Sequence, residues 1–110
     1  MIDRDTEILA FMKQDREERD KYKFREHGYL YELRQYIDNT YNQHYAQSKY
    51  QATDTILDAG YGEGFCMGNI LKYWKRYGKK NGKDRSDLLK IIHYAIIQLY
   101  LHDKEQETDT

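Results

Sequence analysis

The sequence predicts an all-α protein, a small helical bundle with a C-terminal helix hairpin. Three observations lead to that fold class. Proline, the strongest helix breaker, is absent from the 110 residues. Apolar residues recur at intervals of three and four along most of the chain. No segment of useful length alternates apolar and polar residues as a half-buried strand does. The length fits one domain with one modest core.

Three helices are predicted before residue 60. The first covers residues 3–21 and carries only a thin apolar stripe, so most of it must be exposed. Gly28 predicts a break, after which residues 29–42 place apolar side chains at helical spacing. A short helix over residues 51–59 follows. The glycine-rich segment 60–64 then predicts a turn.

Two further helices are predicted over residues 65–78 and 85–101. Lysines and an Asn81-Gly82 pair suit the end of the first helix, and Asp84 suits the N-cap of the second. Helices joined by so short a loop pack as an antiparallel hairpin. Each has an apolar stripe, so we expect the two stripes to form a common core. The residues expected to be buried together are Trp74, Ile70, Ile92, Ile96 and Leu99.

Composition narrows the classes of function. Lys and Arg number 18 against 19 Asp and Glu, so the whole chain lacks the strong positive charge of most nucleic-acid-binding domains. No apolar run approaches the ~20 residues of a membrane span. The first eleven residues lack the order of a signal peptide. The one cysteine, Cys66, excludes an internal disulfide. We therefore expect a cytoplasmic protein with no membrane partner.

Positive charge is concentrated between Cys66 and His93, where eight basic residues meet two acidic ones. Spacing places Asn69, Lys72 and Arg76 on one flank of the first hairpin helix, and Asp87, Lys90 and Tyr94 on one flank of the second. Such a set suits a phosphate-bearing ligand, because Arg grips phosphate bidentately, Lys acts as a point charge and Tyr stacks on a base. A solvated helix face with ordinary surface charges explains the same spacing.

The sequence contains no complete motif for binding a dinucleotide, a nucleotide through a Walker loop, or zinc. Phe65 stands where a dinucleotide-binding loop needs its third glycine, and no strand precedes GYGEGF. A Walker loop is absent, and the His and Cys residues lack zinc spacing. We therefore expect no metal and no cofactor. The 12 tyrosines on a domain of marginal size favour a homo-oligomer.

Several of these residues carry a family pattern. His44-Tyr45, the block 64–82 and the segment 87–94 resemble the SaV-like family of small tailed-phage proteins. The shared pattern is an HY start, GN-x-x-KY-x-x-R-x-G-x-K and DL-x-K-x-x-x-Y, with Ile91 departing from the usual alanine. The resemblance covers about 44–101. It divides the chain into an N-terminal helical region (1–43), the family domain (44–101) and a polar tail (102–110).

The resemblance implies phage origin, a helical fold and the host-cell cytoplasm as location. It also implies kinship with a coliphage enzyme that phosphorylates deoxynucleoside monophosphates without a Walker loop. The substrate-binding residues that it implies are His44, Tyr45, Asn69, Lys72, Arg76, Asp87, Lys90 and Tyr94. Catalytic residues do not follow from it.

Two functions are therefore expected. The first is a phage-encoded nucleotide-binding protein, with deoxynucleoside monophosphate kinase activity as its enzymatic form. The alternative is a non-catalytic anti-defence protein that sequesters a nucleotide signal or inhibits a host protein. The expected partners are a nucleotide or similar phosphate ligand, a second copy of the chain and a host defence protein.

Overall fold

The structure, a computed structural model, describes residues 3–43 and 46–108. Within them the chain forms five helices and no strand, which confirms the predicted all-α fold. Backbone contacts divide the chain into two units, Met1–Gln35 and Tyr36–Thr110. The helices are α1 (Arg4–Lys21), α2 (Glu26–Asn42), α3 (Ala46–Asp58), α4 (Gly62–Arg76) and α5 (Arg85–Thr108). No helix in this part of the chain is long and apolar enough to cross a membrane.

Several helix boundaries differ from the predicted ones. The break placed at Gly28 lies earlier, near Arg25, whose backbone has a positive φ of 61°. Gly28 itself lies inside α2, because one glycine costs a helix only about 1 kcal/mol. Helix α5 continues past Leu101 to Thr108, since residues 102–108 contain neither glycine nor proline to stop it. Most of the predicted polar tail is therefore helical.

The first unit has little buried surface of its own. Helix α1 contains no buried residue, as its thin apolar stripe predicts. Its N-cap is Asp3, whose carboxylate accepts a hydrogen bond from the Thr6 amide at 2.7 Å. Near its other end, Asp15 Oδ1 lies 2.9 Å from His27 Nε2 and joins α1 to the start of α2.

The second unit contains the predicted hairpin. Helices α4 and α5 run antiparallel, with Gly62 beside Leu101 at one end and Arg76 beside Asp87 at the other. The turn between them uses Gly78, at φ 85°, and the predicted Asn81-Gly82 pair, also at positive φ. The Ser86 amide donates to Asp84 Oδ1 at 2.9 Å, which confirms the N-cap of α5.

The predicted core of this hairpin is wrong. Trp74 is 71% exposed, and Ile92, Ile96 and Leu99 are exposed as well, while Ile70 is half-buried. Helix α4 turns a different side toward α5, one that carries Phe65, the buried Cys66, Tyr73 and Arg76. Tyrosine rings bury apolar area while keeping a polar tip, and here they occupy the space expected for the aliphatic stripes.

Candidate functional site

Three cations surround the ring of Tyr73. The Nζ of Lys90 lies 4.9 Å from the ring centroid, the Nζ of Lys72 5.1 Å, and the Cζ of Arg76 5.9 Å. Helix α4 supplies Lys72 and Arg76 one turn apart, and α5 supplies Lys90 from across the hairpin. Each cation is attracted to the ring face, but the three repel one another. The group, called here the Tyr73 cluster, therefore favours an anion nearby.

Aromatic stacking holds the ring of Tyr73 in place. Tyr94 of α5 stacks on it with the centroids 6.2 Å apart and the planes 14° from parallel. Phe65 meets Tyr94 edge-on at 5.7 Å. Burial raises the pKa of the Tyr94 phenol, and neighbouring Tyr73 raises it further. Tyr94 therefore stays a neutral hydroxyl that can donate a hydrogen bond to a ligand.

Asp87 lies behind the cluster and is only 2% exposed. Its Oδ1 is 3.9 Å from the Nε of Arg76. Its Oδ2 is buried and has no hydrogen-bond partner within the described part of the chain. A buried carboxylate needs a compensating cation, and the neighbouring guanidinium supplies it. Asp87 therefore holds Arg76 beside the Tyr73 ring.

The remaining predicted site residues are placed differently. The Asn69 side-chain amide donates to the Phe65 carbonyl oxygen at 2.9 Å, so one of its two N–H donors is used within α4. His44 and Tyr45 lie outside the described residues.

Two adjoining cavities lie beside the cluster, between the end of α2, α3 and α5. The smaller has a volume of about 60 Å³ and the larger about 370 Å³. Both are lined by Tyr50, Thr53, His93 and Ile97. The smaller is also lined by Tyr36, Lys49, Tyr73, Lys90 and Tyr94. The larger is also lined by Ile37, Tyr41, Asp54, Leu57, Ile96 and Tyr100.

The structure thus brings most of the described candidates close to the Tyr73 ring, but only some of them line a cavity. Lys90 and Tyr94 line the smaller cavity, and Tyr73 joins that cavity to the cluster. Lys72 and Arg76 reach the same ring without lining either cavity.

A family match covers this region. The family model described as a protein of unknown function, DUF3310, matches residues 39–96, just over half of the 110-residue chain. The chain belongs to the DUF3310 family. Comparison with curated proteins and with solved structures finds no match. The matched segment of this DUF3310 protein contains the whole Tyr73 cluster and all of the smaller cavity except Tyr36 and Ile97. It leaves out α1 and most of α2.

Sequence reasoning missed the contribution of α3. Lys49 and Tyr50 line the smaller cavity, and Tyr50 stacks flat on Tyr41 with the centroids 4.2 Å apart. The Thr40 hydroxyl is hydrogen-bonded to the Tyr50 hydroxyl and fixes that ring. The abundance of tyrosine in the sequence indicates aromatic contacts, but it does not show which tyrosine rings pack against each other.

His93 of this DUF3310 protein is the histidine that lines both cavities. Burial lowers the pKa of His93, and the charge of Lys49 lowers it further. The ring is therefore neutral at neutral pH and can accept or donate one hydrogen bond. Across the described residues, no three His, Cys, Asp or Glu side chains are grouped to hold a metal ion.

Proposed function

We propose that this DUF3310 protein binds a nucleotide through its phosphate group. The phosphate lies at the Tyr73 cluster and the base lies in the larger cavity. The observation that carries the proposal is the gathering of Lys72, Arg76 and Lys90 around one tyrosine ring. Guanidinium and ammonium groups are the side chains that proteins use most for phosphate oxygens.

The sizes of the two cavities support this orientation. The smaller, at about 60 Å³, suits a group of phosphoryl size, and it is lined by two lysines, Lys49 and Lys90. The larger, at about 370 Å³, falls within the ~300–1,000 Å³ typical of small-molecule pockets. The stacked rings of Tyr41 and Tyr50 offer it an aromatic wall, and Asp54 offers an acceptor for an amine or hydroxyl.

The resemblance to the SaV-like family supports proposing an enzymatic activity in addition to nucleotide binding. The proposed reaction is phosphorylation of a deoxynucleoside monophosphate by a phage-encoded protein in the host cytoplasm. Phosphoryl transfer depends mainly on positioning and on neutralising phosphate charge, and clustered Lys and Arg side chains provide both.

Binding without turnover is the second candidate, in which the protein sequesters a nucleotide signal or inhibits a host defence protein. The position of Asp87 favours it. That residue is the one carboxylate in the predicted site, and it is buried behind Arg76. It is therefore not exposed to an acceptor hydroxyl. A stoichiometric binder needs the cations but no such carboxylate.

A thermal-shift and calorimetry panel tests the proposal. It compares nucleosides with their mono-, di- and triphosphates, and includes inorganic phosphate. A ligand at 100 times its dissociation constant adds about 2.7 kcal/mol of stability. We expect phosphorylated ligands to raise the melting temperature and nucleosides to have little effect. Incubation with ATP and each deoxynucleoside monophosphate, followed by chromatography of the products, separates the kinase from the binder. No response to any phosphorylated ligand would overturn nucleotide binding in both forms and would favour direct inhibition of a host protein instead.

A further inference from the structure

An open groove lies on α4 where that helix ends and the turn to α5 begins. Its volume is about 540 Å³, and it is lined by Leu71, Trp74, Lys75, Tyr77 and Lys79. Trp74 is 71% exposed, so most of its indole ring faces solvent. Among the described residues, none lines both this groove and either cavity of the proposed nucleotide site. The groove, called here the Trp74 groove, is therefore a separate surface.

Positive charge surrounds the Trp74 groove. Between residues 72 and 83 the sequence contains six basic residues and no acidic one. Four of these are exposed lysines at the groove or in the adjoining turn, namely Lys75, Lys79, Lys80 and Lys83. Lys83 folds back toward the groove, because its Cγ lies 3.8 Å from where a Cβ on Gly78 would be. The turn thus gathers cations on both sides of one exposed aromatic ring.

These four lysines are not neutralised by the chain itself. None of them forms an ion pair within the part of the chain that the structure describes. The nearest carboxylates in the sequence are used elsewhere. Asp87 is buried against Arg76, and Asp84 accepts a hydrogen bond from the Ser86 amide at 2.9 Å. The lysines therefore repel one another, and an anion that spans several of them relieves the repulsion.

A single strand of nucleic acid has the chemistry that matches this surface. Proteins bind such strands by stacking bases on exposed aromatic rings and by aligning cations along the phosphates. The bases of a duplex are already stacked on one another, so they offer no free face to an indole ring. We propose that the Trp74 groove binds single-stranded nucleic acid, with a base on Trp74 and the flanking phosphates at Lys75 and Lys79.

The near-zero charge of the whole chain is compatible with this site. Lys and Arg number 18 against 19 Asp and Glu, but those charges are spread over 110 residues. Screening limits the charges that a phosphate senses to those within about 8–10 Å at physiological salt. At the Trp74 groove those are the lysines of the turn. The groove also has room for a base and its sugar, since ~300–1,000 Å³ is typical of small-molecule pockets.

The single tryptophan reports directly on the proposed stacking. The full-length protein is titrated with a single-stranded deoxyoligonucleotide of about 12 nucleotides. We expect binding to quench Trp74 fluorescence, because a base stacked on an indole ring quenches its emission. Fluorescence polarisation of a labelled strand then compares two variants. Trp74→Phe should keep most of the affinity, while Trp74→Leu should weaken binding about tenfold. Circular dichroism checks that both variants fold.

Salt dependence separates the phosphate contacts from stacking. For single strands, the logarithm of the binding constant falls with the logarithm of salt concentration by about 0.7 per neutralised phosphate. Lys75→Ala and Lys79→Ala should each reduce this slope by about 0.7, while Trp74→Leu should leave it unchanged. Lys104→Ala is the matched control, because Lys104 also lies beside an aromatic ring, that of Tyr100, at the far end of α5. It should change neither slope nor affinity.

Mononucleotides distinguish the Trp74 groove from the Tyr73 cluster. Lys75→Ala should weaken oligonucleotide binding and leave mononucleotide binding unchanged, while Lys72→Ala should do the reverse. Oligonucleotide binding without mononucleotide binding would leave the Trp74 groove standing and remove the proposed nucleotide site. Oligonucleotide binding that a saturating mononucleotide abolishes would move the strand to the Tyr73 cluster and overturn the groove.

Four other results overturn the proposal. Equal slopes for Lys75→Ala and Lys104→Ala mean that diffuse charge alone attracts the strand. An unchanged affinity for Trp74→Leu means that no base stacks on the ring. Equal binding of a duplex and a single strand excludes recognition of unpaired bases. Vesicles containing phosphatidylserine that shift Trp74 emission to shorter wavelength, while oligonucleotides do not bind, would assign the groove to an anionic membrane surface.

Discussion

The two sides of the α4–α5 hairpin contrast in a way that reverses the usual pattern. The side that packs against the neighbouring helices carries tyrosines, lysines, Arg76 and the buried Asp87. The outward sides of the two helices carry exposed apolar residues, Leu71 and Trp74 on α4 and Ile92 and Leu99 on α5. Apolar surface left open and polar groups packed inside are both costly, so each indicates a further contact. The contrast teaches that helical periodicity locates a stripe without telling what covers it.

The largest expected effect is a difference in the free energy of unfolding between a substitution at the packed Arg76 and one at the exposed Trp74. Arg76→Ala leaves Asp87 buried without its cation and should cost about 3 kcal/mol in the free energy of unfolding. Trp74→Ala removes an exposed ring and should cost less than about 0.5 kcal/mol in the monomer. Urea unfolding at a concentration where the chain is monomeric measures both. Arg76→Lys, which keeps the charge, should lie between them. A loss of 3–5 kcal/mol for Trp74→Ala would restore the core that the periodicity predicts.

Two glycines of α4 provide a smaller and more local comparison. A Cβ on Gly62 would lie 2.7 Å from methyl groups of Leu57 and Leu101, while a Cβ on Gly68 would meet no atom within 4 Å. Gly62→Ala should therefore destabilise the protein by about 1 kcal/mol, after the helix gains from alanine. Gly68→Ala should stabilise it by about 0.5–1 kcal/mol. Thermal unfolding of both variants checks the pair, and equal effects would show that α4 does not pack as described.

The sequence allowed part of this contrast to be predicted. Helix existence, the hairpin and the Asp84 cap follow from local signals, and the structure agrees. Grouping Lys72, Arg76 and Lys90 needed only helical spacing and a short turn. The exposure of Trp74 could not be predicted, because it depends on which side of α4 meets α5. Lys49 and Tyr50 were missed for the same reason, since the position of α3 is set by packing between helices distant in sequence.

The smallest expected effect concerns pH. The pKa of His93 is lower in the folded protein than its ordinary value of 6.5. Below about pH 6.5 the unfolded chain therefore binds more protons than the folded one, and stability falls as the pH falls. His93→Gln should reduce that slope. Urea unfolding of both proteins between pH 7.5 and about 5 measures it. A bound phosphate would favour the charged ring, so nucleotide binding should tighten over the same range. A slope that the substitution leaves unchanged would assign the effect to other groups.

The most direct test of the Tyr73 cluster compares two lysines on one helix. Lys72 and Lys75 are both exposed on α4, but only Lys72 reaches the Tyr73 ring, with its Nζ 5.1 Å from the centroid. Calorimetric titration with the nucleotide that binds best should show Lys72→Ala and Arg76→Ala each weakening binding by about 1.5–3 kcal/mol, the range for a hydrogen bond to a charged group. Lys75→Ala should leave the affinity within error of the unsubstituted protein. Equal losses for Lys72→Ala and Lys75→Ala would mean that diffuse charge alone attracts the nucleotide, and would contradict a site built around Tyr73.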